Sequence, residues 1–108
     1  MKSQIAFGDE RVKKALDKIK DIKEKQLYEQ IIKAFQNLKG NAFCGIQIPK
    51  NLILKEYIKR FGNLTNLWKY NLPDAWRVIY TIKNNNIEVL SVILEWLDHK
   101  EYERKFKY

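Results

Sequence analysis

Two side chains in the C-terminal third of the sequence, Arg77 and His99, have the chemistry needed to act on a phosphodiester. Imidazole is the side chain whose ordinary pKa lies nearest neutrality, so a histidine can take up and return a proton. A guanidinium holds a phosphate in a fixed geometry. RNA can be cleaved by its own 2′-hydroxyl when one group removes the hydroxyl proton, a cation stabilises the developing charge on the phosphate and a donor protonates the leaving oxygen. These two residue types therefore suit RNA cleavage without a metal ion.

Further residues extend this candidate site. Tyr102 follows His99 by three positions, so the two share a face if the segment is helical. Tyr102 is therefore a third candidate catalytic residue, and it and His99 would transfer protons or orient the substrate. Lys69, Lys100 and Arg104 supply cations that we expect to contact an RNA backbone. Ordinary structural interpretations stay open: a surface charge for the arginine, a solvated or structural histidine, and a core position for the tyrosine.

Other familiar chemistries lack the necessary residues. With one histidine and one cysteine, the chain cannot assemble a zinc ligand set or an intramolecular disulfide. The sequence contains neither a GxxxxGK[ST] nor a GxGxxG loop, and its acidic residues form no dense cluster of the kind that holds two metal ions. We expect no cofactor.

Charge indicates the kind of partner. The 108 residues contain 21 Lys and Arg against 13 Asp and Glu, a net charge of +8, and the excess lies within residues 1–72. Such a field attracts polyanions, nucleic acid above all, although surface lysines also serve solubility. The absence of a long apolar run predicts no membrane span, and we expect a cytoplasmic protein.

The first half of the chain reads as helical. Two apolar stripes at three- and four-residue spacing predict a helical hairpin whose break falls at residues 21–24. The stripes are Val12, Ala15, Leu16 and Ile19, then Leu27, Ile31, Ile32, Phe35 and Leu38. Residues 42–50 look like an irregular or extended connector, and a short helix is expected around residues 51–60, ended by Gly62.

The second half changes to an alternating period. Residues 67–94 predict a three-stranded antiparallel meander, with turns at 73–74 and 83–86. Asp98 and Glu101 have the spacing of a capping box, which predicts a short C-terminal helix carrying His99 and Tyr102. We expect one α+β domain over residues 1–108, with the helices packed on one face of the sheet. Lys69 and Arg77 would then point to its open face.

The order of these elements resembles the RelE/ParE toxin superfamily, the toxin halves of prokaryotic toxin–antitoxin pairs. The resemblance is carried by a basic helical hairpin, then LWKYNL at 67–72, WRVIY at 76–80, an apolar strand and HKEY at 99–102. Two positions depart from it. Asn71 stands where a second catalytic lysine is expected, and Leu94-Glu95-Trp96 stands where many members place an arginine.

The resemblance implies a microbial-RNase-like fold and a ribosome-associated endoribonuclease that cleaves mRNA and is held inactive by a cognate antitoxin. Arg77 matches the arginine that contacts the scissile phosphate, and Lys69 matches a substrate-contacting lysine. Tyr102 matches the C-terminal tyrosine, and His99 matches the histidine that some members use as acid or base.

Two other functions stay open at this point. One is ParE-like inhibition of a protein target such as a topoisomerase, without hydrolysis, in which Arg77 and His99 would be dispensable. The other is a non-catalytic basic RNA-binding module, whose affinity would fall steeply with salt. Formation of a homodimer is equally open.

Overall fold

The computed structural model describes residues 1–20, 24–85 and 88–107. Along the chain the helices and strands are β1 (Gln4–Phe7), α1 (Glu10–Lys20), α2 (Lys25–Gly40), β2 (Ile46–Ile48), α3 (Lys55–Phe61), β3 (Leu67–Asn71), β4 (Arg77–Asn84), β5 (Val89–Leu97) and α4 (His99–Phe106). The expected α+β class is therefore observed. Among the described residues, no helix is long and apolar enough to cross a bilayer.

The predicted helical hairpin is confirmed as α1 and α2. The first helix starts after Asp9, whose Oδ1 accepts a hydrogen bond from the amide of Val12 at 3.1 Å and so caps it. Ala15 is exposed although it belongs to the predicted stripe. Residues 21–23, most of the predicted break, lie outside the described residues. The stripe residues that are buried are Val12, Leu16, Ile19, Leu27, Ile31, Phe35 and Leu38.

The predicted meander is also confirmed, as β3, β4 and β5 in antiparallel array. It forms the middle of a five-stranded mixed sheet with strand order β1-β5-β4-β3-β2. The last strand continues three residues beyond the expected end, to Leu97. Asn86 of the predicted second turn lies outside the described residues.

Two strands were not foreseen. β1 pairs in parallel with β5, and β2 pairs antiparallel with β3 inside the expected connector. They are four and three residues long. So few residues cannot display a reliable alternation, and a parallel partner more than 80 positions away leaves no local signal.

Helices cover both faces of the sheet, so the expectation of one open face is wrong. On the first face, Val78, Tyr80 and Ile93 pack against the α1–α2 hairpin. On the second face, α3 and α4 contribute Tyr57, Tyr102 and Phe106, which pack with Ile79, Leu94 and Leu97 of the strands. Because β4 and β5 carry aliphatic residues on both faces, each face requires a cover.

Two predicted helix boundaries are confirmed, the end of α3 and the start of α4. Gly62 follows α3 with φ of 88°, a conformation that glycine adopts without strain. Asp98 caps α4: its Oδ1 accepts the Glu101 amide at 2.8 Å, and Glu101 Oε1 accepts the Asp98 amide at 3.2 Å. The capping box therefore sets the first turn of α4, which contains His99.

Candidate active site

Arg77, the first residue of β4, has a guanidinium held from several sides. Its Nη1 donates to the carbonyl of Ala75 at 2.8 Å, and its Cζ lies 4.4 Å from the centre of the Tyr102 ring. Its Nε is buried and has no hydrogen-bond partner among the described residues. The cation is therefore anchored by a carbonyl and an aromatic face, and no carboxylate among the described residues pairs with it.

The carbonyl that holds Arg77 belongs to a tight turn between β3 and β4. Asp74 has φ of 60° and ψ of 30°, and Ala75 has φ of 62°. Left-handed backbone at a residue with a β-carbon costs about 1 kcal/mol or more. This turn directs the Ala75 carbonyl toward the guanidinium two residues later.

His99 lies beside Arg77 at the start of α4. Its Nδ1 is 3.5 Å from Nη2 of Arg77, and its Nε2 is 3.1 Å from Oε1 of Glu103, one helical turn further on. About half of the imidazole side chain is exposed, 53%. In the neutral ring this arrangement suits a proton on Nε2 and a lone pair on Nδ1 facing the guanidinium. Glu103, which sequence reasoning did not single out, is the residue that orients the ring.

Tyr102 is buried, with 1% of its surface exposed. Its ring stacks on Phe106 at a centroid distance of 4.8 Å and also contacts Lys69, whose Nζ lies 4.9 Å from the ring centre. One ring therefore contacts the cations of both strands, Lys69 on β3 and Arg77 on β4. This geometry suits an orienting role, in which the ring face of Tyr102 positions both cations through cation–π contacts.

The structure places Lys100 and Arg104 elsewhere on α4. Both are exposed, and neither side chain makes an ion pair or hydrogen bond with the described residues. They are four positions apart and so share a helix face, which is not the face of His99, Glu103 and Tyr102. They extend the positive surface beside the site without joining the Arg77 cluster.

A second group of charges fixes the far end of α4. The Lys105 ammonium lies 3.0 Å from a carboxylate oxygen of Glu95 on β5, and the Tyr57 hydroxyl of α3 donates to the same carboxylate. Burial raises the pKa of the Tyr57 phenol, and the neighbouring carboxylate raises that pKa further. Glu95 thus ties α3 and α4 to the sheet and holds α4 in the position that brings His99 to Arg77.

No three His, Cys, Asp or Glu side chains within residues 1–20, 24–85 and 88–107 come together as a metal-binding group. The cations of the site come instead from Arg77 and Lys69.

The fold is consistent with a RelE/ParE-like toxin: a helical hairpin on an antiparallel meander, followed by a short C-terminal helix. The family model described as "ParE toxin of type II toxin-antitoxin system, parDE" matches residues 9–94. The chain therefore belongs to this family, and the superfamily assignment made from the sequence is confirmed. Membership implies a cognate antitoxin partner.

The matched region contains Lys69 and Arg77 and ends before α4, so His99, Tyr102 and Glu103 lie beyond it. No curated protein and no solved structure matches the chain at a significant level. The features that indicate what the toxin acts on therefore lie in the site itself.

Proposed function

We propose that this type II toxin is an endoribonuclease that cleaves mRNA on the ribosome, with Arg77 and His99 as its catalytic residues. The observation that carries the proposal is the 3.5 Å separation of Arg77 Nη2 and His99 Nδ1. Cleavage by the 2′-hydroxyl requires a phosphate-binding cation, a proton acceptor and a source of a proton for the leaving oxygen. Arg77 and His99 in contact supply the first two, and solvent supplies the third.

The proposed reaction follows from the hydrogen-bonding groups of Arg77 and His99. A phosphate oxygen binds a guanidinium more strongly than a neutral imidazole does, so RNA takes the Nη2 donor and leaves Nδ1 of His99 free. The 2′-hydroxyl oxygen attacks phosphorus while its proton passes to Nδ1. The bond from phosphorus to the 5′-oxygen breaks, and that oxygen takes a proton from solvent. The products are a 2′,3′-cyclic phosphate and a 5′-hydroxyl end.

The remaining residues bind and orient. Tyr102 supports Arg77 and Lys69, and Lys69 holds the backbone next to the scissile phosphate. Lys100 and Arg104 supply long-range attraction to RNA from the adjacent helix face. Arg77 provides the charge stabilisation that a metal ion provides in other nucleases.

The test uses toxin purified away from its antitoxin and added to a translation reaction with purified ribosomes. Arg77→Ala and His99→Ala should each lower mRNA cleavage by about 100-fold or more and relieve growth inhibition, with an unchanged circular dichroism spectrum. Arg11→Ala is the matched control, because this arginine is exposed on α1 and distant in sequence from the site. Intact mRNA in the wild-type reaction would refute the proposed nuclease function.

Inhibition of a topoisomerase is a second candidate, favoured by the match to a ParE family model. In that case wild-type, Arg77→Ala and His99→Ala protein should inhibit DNA supercoiling equally, and mRNA should stay uncut. Salt-dependent RNA binding without cleavage or supercoiling effects would instead indicate a non-catalytic binding module.

A further inference from the structure

Asn71 lies at the end of β3, in cross-strand register with Arg77. Residues directly opposite each other in an antiparallel pair point to the same face, with Cβ atoms about 4.5–5.5 Å apart. Lys69, two positions earlier, shares that face. Asn71 therefore lies on the same sheet face as the two cations that would hold the RNA backbone.

Asn71 is exposed, and its amide makes no hydrogen bond with any residue in the described parts of the chain. Other asparagines of the fold are used structurally. The Asn66 amide bonds to Thr81 and Ile82, and Asn41 Oδ1 accepts the amide of Phe43. Asn71 thus presents a donor and an acceptor, side by side, to whatever occupies the site.

A primary amide pairs with a base edge that carries an adjacent acceptor and donor. Adenine offers this arrangement on two edges, N6 with N1 and N6 with N7, and asparagine commonly pairs with the second of these. Guanine offers such a pair on its Watson–Crick edge and, through N2 and N3, on its sugar edge, but its N7 side carries two acceptors, so the N7 side separates adenine from guanine. In single-stranded RNA both edges are open to reading.

We propose that Asn71 determines base specificity by binding an adenine in a nucleotide adjoining the scissile phosphate. This rests on the proposed nuclease function and adds its substrate preference. Arg77 would hold the phosphate and Lys69 the backbone, so the base nearest the end of β3 is within reach of the amide.

The experiment maps cleavage ends in mRNAs that carry randomised codons and are translated by purified ribosomes. Wild-type toxin should enrich adenine at one position flanking the cut. Asn71→Ala should lower that enrichment by about 5- to 100-fold, which corresponds to losing one bidentate base contact. Asn71→Asp should move the residual preference toward guanine, because a carboxylate accepts from the N1 and N2 donors of guanine.

Asn63→Ala is the matched control. Asn63 is exposed and precedes the start of β3, whereas Asn71 lies at its end, so its removal should leave the cleavage map unchanged. A wild-type preference for another base, or an adenine preference that survives Asn71→Ala, would overturn this proposal while cleavage itself persisted. Absence of cleavage by wild-type toxin would instead refute the proposed function on which it depends.

Discussion

The Nη2 atom of Arg77 lies 3.5 Å from Nδ1 of His99, although the residues are 22 positions apart in the chain. Strand register brings them together. Arg77 is paired across the sheet with Leu97, the last residue of β5. The capping box at Asp98 then starts α4 at once, so His99 emerges two residues beyond the position opposite the arginine.

Two substitutions distinguish the contribution of the Tyr102 ring from that of its hydroxyl. Because the ring contacts both Arg77 and Lys69, Tyr102→Phe should retain most of the mRNA cleavage rate. Tyr102→Leu removes the aromatic face and should lower the rate about tenfold, the loss expected for a partly desolvated cation–π contact. Single-turnover cleavage assays measure both rates. A Tyr102→Phe protein as inactive as the leucine variant would assign proton transfer to the hydroxyl.

Glu103 is expected to act as a positioning residue through His99. Its carboxylate lies 3.1 Å from Nε2, so Glu103→Ala should reduce the cleavage rate constant about tenfold through loss of one hydrogen bond, with KM unchanged. Glu103→Gln keeps an acceptor oxygen and should recover most of that loss. Glu29→Ala, an exposed glutamate of α2, serves as control. Equal rates for Glu103→Ala and wild type would show that the ring needs no such support.

Gly45, just before β2, should not tolerate a side chain. A β-carbon there would lie 2.5 Å from the Tyr80 hydroxyl and 2.6 Å from the Lys69 carbonyl oxygen. Gly45→Ala should therefore lower the free energy of unfolding by about 2 kcal/mol. A β-carbon at Gly40 would meet nothing within 4 Å, so Gly40→Ala should be neutral or stabilising by up to about 1 kcal/mol. Urea denaturation of the two variants makes the comparison, and similar midpoints would contradict it.

Acid should selectively weaken the link between α1 and α3. Arg60 donates to both carboxylate oxygens of Asp9, at 2.8 and 3.2 Å, and this hydrogen bonding holds the pKa of Asp9 below its ordinary value of 3.8. A lowered pKa in the folded state means stability that is present above that ordinary value and lost as pH falls through the folded value.

Asp9→Asn keeps the helix cap and removes the charge, so it should cost about 1 kcal/mol at pH 6 and progressively less below pH 3.8. Urea denaturation at several pH values measures the difference. Asp17→Asn, on the exposed side of α1, is the control. A cost that does not change with pH would assign the effect of Asp9→Asn to something other than its charge.

Much of the framework was predictable because it rests on local signals. The α1 and α2 stripes, the glycine that ends α3, the capping box of α4 and the alternation of β3 to β5 each span only a few neighbouring residues. The short β1 and β2 were missed because strands of this length have no readable period. The covered second face was missed because a few apolar residues on two short helices do not reveal which surface they protect.

The residue types of the site are evident from the sequence: one imidazole, a strand arginine, a strand lysine and a net positive charge, carried on a hairpin followed by a meander. How these groups meet depends on contacts that appear only in the folded chain. Register set Arg77 against Leu97 and Asn71, packing buried the Tyr102 ring beneath the two cations, and one helical turn brought Glu103 to His99. Local periodicity depends on neighbours in the chain, whereas a site depends on contacts between distant segments, and folding alone brings those together.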